Sequence, residues 1–264
     1  MDGINMKMKN FKKNFLLLIF FVSFLFLIVY PVFSLFINLD FLGIKKTFSD
    51  IYFWLSFKNT IIAALLAALL GLILAIGFGY CYLFYRDTII YKLSNLMNDL
   101  PIAIPHTVAG LALLVAFGRK NFGFIGETGL AFTILAVILA MFFVSYPLAA
   151  RSIASALDKI DKEIIDVART LGDSPLKVYF RIVLPNLKEA LFSAIVLAFS
   201  RSLSEFAAVV MFGGNLPGKT QVLASYVFTK VEEGELEMAI TASVFCIILS
   251  FSIVTLLSLR KKDA

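Results

Sequence analysis

The chain has 264 residues, 60% hydrophobic and only 16% charged, with a mean hydropathy of +0.92. A soluble domain carries roughly 45–50% apolar and about 25% charged residues, so a water-borne fold of this size has nowhere to hide so much apolar surface. Lys plus Arg exceed Asp plus Glu by only 24 to 18, and the two cysteines, Cys81 and Cys246, stand alone in apolar runs, which together exclude nucleic-acid-binding, disordered and disulfide-rich secreted classes.

What remains is a membrane protein, and charge-free windows mark its spans. The first runs from Phe15 to Ile37, behind a basic start of Lys7, Lys9, Lys12 and Lys13. It is longer than the roughly 7–15-residue core of a cleaved signal, and no small-x-small cleavage site follows, so it reads as a retained anchor. The second runs from Asn59 to Tyr85, the third from Leu100 to Gly118, the fourth from Thr128 to Ala150 and the last from Met238 to Leu259. Each approaches the ~20 residues that a helix needs to cross the hydrocarbon. A weaker window, Ala190 to Gly218, is interrupted by Arg201 and Glu205. Counting it gives six spans.

The distribution of charge orients them. With the N-terminus inside, the segment between the fourth and fifth spans carries Arg151, Lys159, Lys162, Arg169, Lys177, Arg181 and Lys188 on the cytoplasmic side, and Arg260, Lys261 and Lys262 follow the last span. External loops keep only scattered bases, so both termini are expected in the cytoplasm of a multi-pass cell-membrane protein. In the second span Ala63, Ala67, Gly71, Ala75 and Gly79 repeat every four residues, a smooth face for close helix packing, within the chain or between protomers. The two halves show no repeat, which argues against an inverted-repeat secondary transporter.

The cytoplasmic segment is structured. Ile164, Val167, Ala168 and Leu171 share one helix face, and Gly172 stands where a helix C′ glycine belongs. Ser174-Pro175 reads as an N-cap and a first-turn proline, Leu176, Tyr179, Phe180 and Val183 form a second apolar face, and Leu184-Pro185 stops it. The pattern is helix, sharp turn, short helix: either a hairpin lying on the membrane or a knob for a soluble partner.

Here the residues resemble a known family. Asp166-Val167-Ala168, three residues, Gly172, nine residues, Ile182, one residue and Leu184-Pro185 match in spacing the EAA signature of ABC importer permeases, with Asp and Val in place of Glu and Ala. The resemblance implies an ABC type-1 permease fold over residues 57–258 with a coupling loop at about 158–185. Residues 1–56 would hold the N-terminal tail, first span and first external loop, and 259–264 a short basic tail. It further implies a homodimer working with two ATPase subunits and an external binding protein. ATP and Mg would sit on the ATPases and no cofactor on this chain.

The segment Ser204-Glu205-Phe206-Ala207-Ala208, continued by Phe212 to Gln221, resembles the fifth-span region of molybdate, tungstate and sulfate permeases. Pro101 to Pro105, with Thr107 and Gly110, resembles their third span. His106 stands where another proline is common and Ala207 where glycine is, which loosens the choice of ion. Pro101, Pro105, His106, Thr107, Gly110, Ser204, Glu205, Gly214 and Asn215 are thereby candidates for the translocation path. Arg201 and Glu205 lie one turn apart and are expected to pair, because lone charges in a span are costly. As the chain's single histidine, His106 is read as packing or pore lining, and no metal site is expected.

Gly213 to Thr220 also satisfies the P-loop pattern GxxxxGK[ST]. A P-loop needs a preceding strand in a soluble α/β domain, and here an apolar span precedes it, so nucleotide binding is rejected. No Ser/His/Asp, paired-Asp or HExxH set suggests an enzyme. A channel or secondary transporter that needs no ATP is the rival class.

Overall fold

The structure, a computed structural model, describes residues 16–123 and 127–260. The basic start Lys7–Lys13 and the residues Lys261 and Lys262, on which the orientation partly rests, lie outside them. Among the described residues the protein is helical with no strand; a single bridge joins Gly118 to Gly129.

Helix α1 spans Leu16–Ile37 and buries none of its most apolar stretch. A short α2, Phe41–Ser49, is capped by Asp40, whose side chain accepts from the Leu42 and Gly43 amides. Asp50 then caps α3, Ile51–Tyr85, accepting from Tyr52 N at 2.8 Å. At 35 residues α3 is about 52 Å long, more than the bilayer requires. Helix α7, Ile134–Leu157, starts at Thr133, whose hydroxyl accepts from Ala136 N.

These two long helices form the centre. Ala63, Ala67, Gly71, Ala75 and Gly79 are all buried in α3. A Cβ on Gly71 would touch Tyr146 Cα of α7 at 3.7 Å, and one on Gly79 would sit 2.8 Å from Ile153 Cγ2. Thus the small-residue face packs within the chain, and the protomer seam is not needed to explain it. Helix α10, Lys188–Leu203, completes the layer with Ala194 and Ala198 fully buried. The last helix, α13, Leu236–Arg260, packs against α12, Leu223–Glu232, where Phe53, Tyr226 and Phe245 make edge-on ring contacts.

Two spans differ from the continuous helices expected. The third is broken: α4 (Ile89–Asn98) and α5 (Leu100–Ala103) meet α6 (His106–Phe117) with a bend of 116°. Pro105 and the extended Ile104 before it cause the break, since a residue preceding proline is driven from helical geometry. The fifth stops at Leu203; Ser204 to Phe206 are non-helical, and α11, Ala207–Gly213, follows. Among the described residues four helices are long and apolar enough to cross a membrane; the count reaches six only if residues 89–103 with α6, and Pro175–Asn186 with α10, are each taken as one bent span.

Candidate functional site

The segment between the fourth and fifth spans, expected on the cytoplasmic side, folds as helix, turn, helix. α8 is Lys162–Thr170, capped by Asp161, and α9 is Pro175–Asn186, capped by Ser174, whose hydroxyl accepts from Lys177 N at 3.3 Å. Between them Gly172 has φ +92°, in the left-handed region. Gly172 N donates to Arg169 O and Asp173 N to Ala168 O, both at 3.1 Å, the paired bonds of a Schellman turn. A Cβ on Gly172 would meet nothing within 4 Å, so glycine is demanded by backbone conformation alone. Lys177 pairs with Asp173 across the corner.

The apolar face anticipated for α8 divides. Ala168 and Ile165 turn inward, while Ile164 and Val167 are about half exposed and Leu171 is 82% exposed. On α9, Val178, Tyr179 and Val183 are buried, and Leu176 and Phe180 face out. Tyr179 anchors the unit: its hydroxyl donates to Ile76 O of α3 at 2.7 Å. The inward residues therefore lock the loop to α3 and α7, and the outward five form a rigid apolar knob. Pro185 does not end α9 as expected; the helix continues to Asn186, and the 77° corner into α10 lies at Leu187. Asp166 is exposed on α8, Ile182 and Leu184 are half-buried, and Pro185 is exposed.

The second constellation sits where the two broken spans cross. A Cβ on Gly110 of α6 would lie 2.8 Å from Ala208 Cα of α11, so the backbones nearly touch. One turn before Gly110 is His106, and one turn before Ala208 is Glu205. The crossing thus brings His106 Nδ1 to 3.1 Å from Glu205 Oε2. Arg201, at the end of α10, donates from Nη2 to the same Oε2 at 3.0 Å. The other oxygen, Oε1, accepts from Ala208 N at 3.0 Å. Nη2 also lies 3.0 Å from both imidazole nitrogens, and Nη1 donates to Ser204 Oγ at 3.2 Å. Nη2, equidistant from the two nitrogens, lies against the ring, and a proton on Nδ1 would let the imidazole donate to Glu205.

The expected Arg201–Glu205 pair is present, and His106 joins it as a third member that sequence spacing did not reveal. Burial is unequal: the Glu205 side chain is 1% exposed and that of Arg201 24%. Among the remaining path candidates, Pro101 is buried, and Pro105 and Thr107 are exposed beside His106. Gly214 and Asn215 belong to a different place, the left-handed turn after α11, where Asn215 Nδ2 donates to Thr229 Oγ1 of α12 at 3.0 Å.

That turn also disposes of the P-loop pattern. It follows helix α11, and the Thr220 hydroxyl is already accepting from Leu216 N at 2.9 Å. Asn59 Nδ2 donates to the Lys219 and Gln221 carbonyls, tying the loop to α3. The Lys219, Thr220 and Gln221 amides all donate to Leu216 O, so this run is not free to cradle a phosphate. Among the described residues no group of three His, Cys, Asp or Glu side chains is placed to hold a metal.

The profile of the binding-protein-dependent transport system inner membrane component family matches residues 67–261. The chain belongs to that family. It is a membrane permease component of the ABC importer type, with the helical fold of the type-1 permeases and four to six candidate spans among the described residues. It is 32% identical over 213 residues to the probable transport system permease protein NifC of Clostridium pasteurianum, covering 78% of this chain and 74% of that protein. It is 32% identical over 209 residues to the sulfate transport system permease protein CysT of Salmonella typhimurium, covering 78% and 74%. The molybdenum transport system permease protein ModB of Escherichia coli is 34% identical over 184 residues, covering 66% and 80%. In fold, the chain is similar to the crystal structure of a bacterial ABC transporter that imports alginate, with a TM-score of 0.76 at 17% identity, covering 97% of this chain and 98% of that one.

Proposed function

We propose that this permease carries a tetrahedral oxyanion, molybdate or tungstate, into the cell. It would act as a homodimer with two ATPase subunits and an external binding protein, with both termini in the cytoplasm. The observation that carries the assembly is the rigid loop at Gly172, which presents Ile164, Val167, Leu171, Leu176 and Phe180 outward. An apolar knob of this kind suits a cleft in a soluble subunit, and rigid attachment through Tyr179 lets a push on the knob reach α3. Asp166, Val167, Ala168, Gly172, Ile182, Leu184 and Pro185 constitute that coupling loop. ATP and Mg would be held by the ATPase, whose closure shifts the loop and alternates the path between outside and inside.

The substrate class rests on the relatives and on the Pro101–Gly110 and Ser204–Asn215 segments. Sulfate is the second reading, favoured by the likeness to the sulfate permease CysT. The deciding experiment is uptake and ATP hydrolysis by the complex reconstituted with its ATPase and binding protein, with molybdate, tungstate and sulfate offered in turn. Stimulation by molybdate or tungstate supports the first reading, stimulation by sulfate alone the second. Stimulation by none of them, but by an unrelated solute, overturns both.

A further inference from the structure

The geometry points to Arg201 as the residue whose guanidinium touches the passing oxyanion, with Glu205 and His106 as the positioning residues that aim it and weaken its grip. The inference rests on the oxyanion reading and names where the anion is met.

An exposed carboxylate inside the path would repel a dianion. The arrangement removes that objection. Glu205 is 1% exposed, and both of its oxygens are occupied, Oε1 by Ala208 N and Oε2 by Arg201 and His106. The partly exposed members are Arg201 at 24% and His106 at 36%. The cluster therefore turns its cation outward and its anion inward, a dipole with the positive end toward the open side. A charged side chain within a span faces protein or water rather than lipid, so the open side is polar.

Donor arithmetic singles out the arginine. A guanidinium has five N–H donors in a fixed fork. Nη2 is taken by Glu205 and the imidazole, and Nη1 gives one hydrogen to Ser204. Among the described residues the Nε hydrogen and the second Nη1 hydrogen have no hydrogen-bond partner; they lie on different edges of the guanidinium, so each can reach a passing anion through a single charge-assisted bond. His106 lies against the guanidinium with Nδ1 on Glu205; its task is to hold the guanidinium in place. Ser204, exposed at the break, already donates to Arg201 O at 3.0 Å.

The compensating carboxylate also has a transport role. Conduction needs a site favourable enough to enter and weak enough to leave. An uncompensated arginine would hold a dianion too long, and Glu205 behind it reduces the net charge of the site.

The test is oxyanion uptake per assembled complex in proteoliposomes containing the ATPase and binding protein, using molybdate, tungstate and sulfate. Arg201→Met combined with Glu205→Gln removes both charges without stranding either. We expect uptake at least tenfold below wild type, with uptake falling more than ATP hydrolysis, so that anion moved per ATP drops. Arg201→Lys keeps the charge and can still pair with Glu205 but has fewer donors: anion contact predicts uptake clearly below wild type at normal assembled abundance, whereas a purely structural ion pair predicts uptake near wild type. Wild-type uptake by the neutral double variant overturns the inference while leaving the oxyanion reading intact. Failure of wild type to move any of the three anions, with stimulation by another solute, overturns both.

Discussion

Gly110 meets Ala208 backbone to backbone, and this contact is what sets His106 against Glu205 one turn away. A Cβ at position 110 would lie 2.7 Å from Met211 Cβ and 2.9 Å from Ala208 O, distances that real side chains do not reach. Gly110→Ala must push α6 from α11, at a cost of about 1–3 kcal/mol for overpacking. The expected outcome is a lower unfolding temperature of the purified permease and weakened uptake. Unchanged values for both would show that the crossing is looser than described.

Glu205→Gln leaves the Arg201 cation beside a neutral amide at a largely buried position. Breaking a buried pair from one side costs roughly 3–5 kcal/mol, with the low end expected because Arg201 keeps some exposure. Membrane-assembled protein should fall, and adding Arg201→Met should recover part of it. Absence of any recovery, measured by quantitative immunoblot of the membrane fraction, would count against the pair as a stabilising unit.

Gly172→Val places a β-branched residue at φ +92°, a conformation that costs such a side chain roughly 1–3 kcal/mol. The spans do not depend on this turn, so membrane abundance should persist. The knob of Leu176 and Phe180 should be misdirected, weakening copurification with the ATPase and abolishing substrate-stimulated hydrolysis. Asp166→Ala should be milder, since it removes one exposed charge and keeps the turn. Wild-type uptake by Gly172→Val at normal abundance would make the loop a surface hairpin without a coupling role.

Lys219→Ala tests the P-loop pattern directly. Lys219 is exposed on a turn held by Asn59 and Thr220, and the Lys219, Thr220 and Gln221 amides are spent on Leu216 O. Nucleotide binding and basal hydrolysis by the complex should be unchanged. Azido-ATP labelling that maps to Gly213–Thr220 would contradict this.

The class of protein, its apolar spans and the helix–Gly172–helix turn were readable from sequence because each depends on neighbours along the chain. Apolar windows of span length answer to lipid, and a helix end is decided by a cap and a glycine within a few residues, as at Asp161, Gly172 and Ser174. The Arg201–Glu205 pair was readable for the same reason, being separated by one turn. What depended on packing was not. The third span looked continuous by hydropathy, and only Pro105, set against the α11 crossing, bends it by 116°. The exposed half of α8 and α9 carries the same residue types as the buried half, and burial against α3 decides which is which. His106 joins Arg201 across 95 positions of sequence. That contact exists because two glycine- and alanine-faced backbones cross at Gly110 and Ala208, and the same crossing buries the carboxylate and leaves the guanidinium facing out.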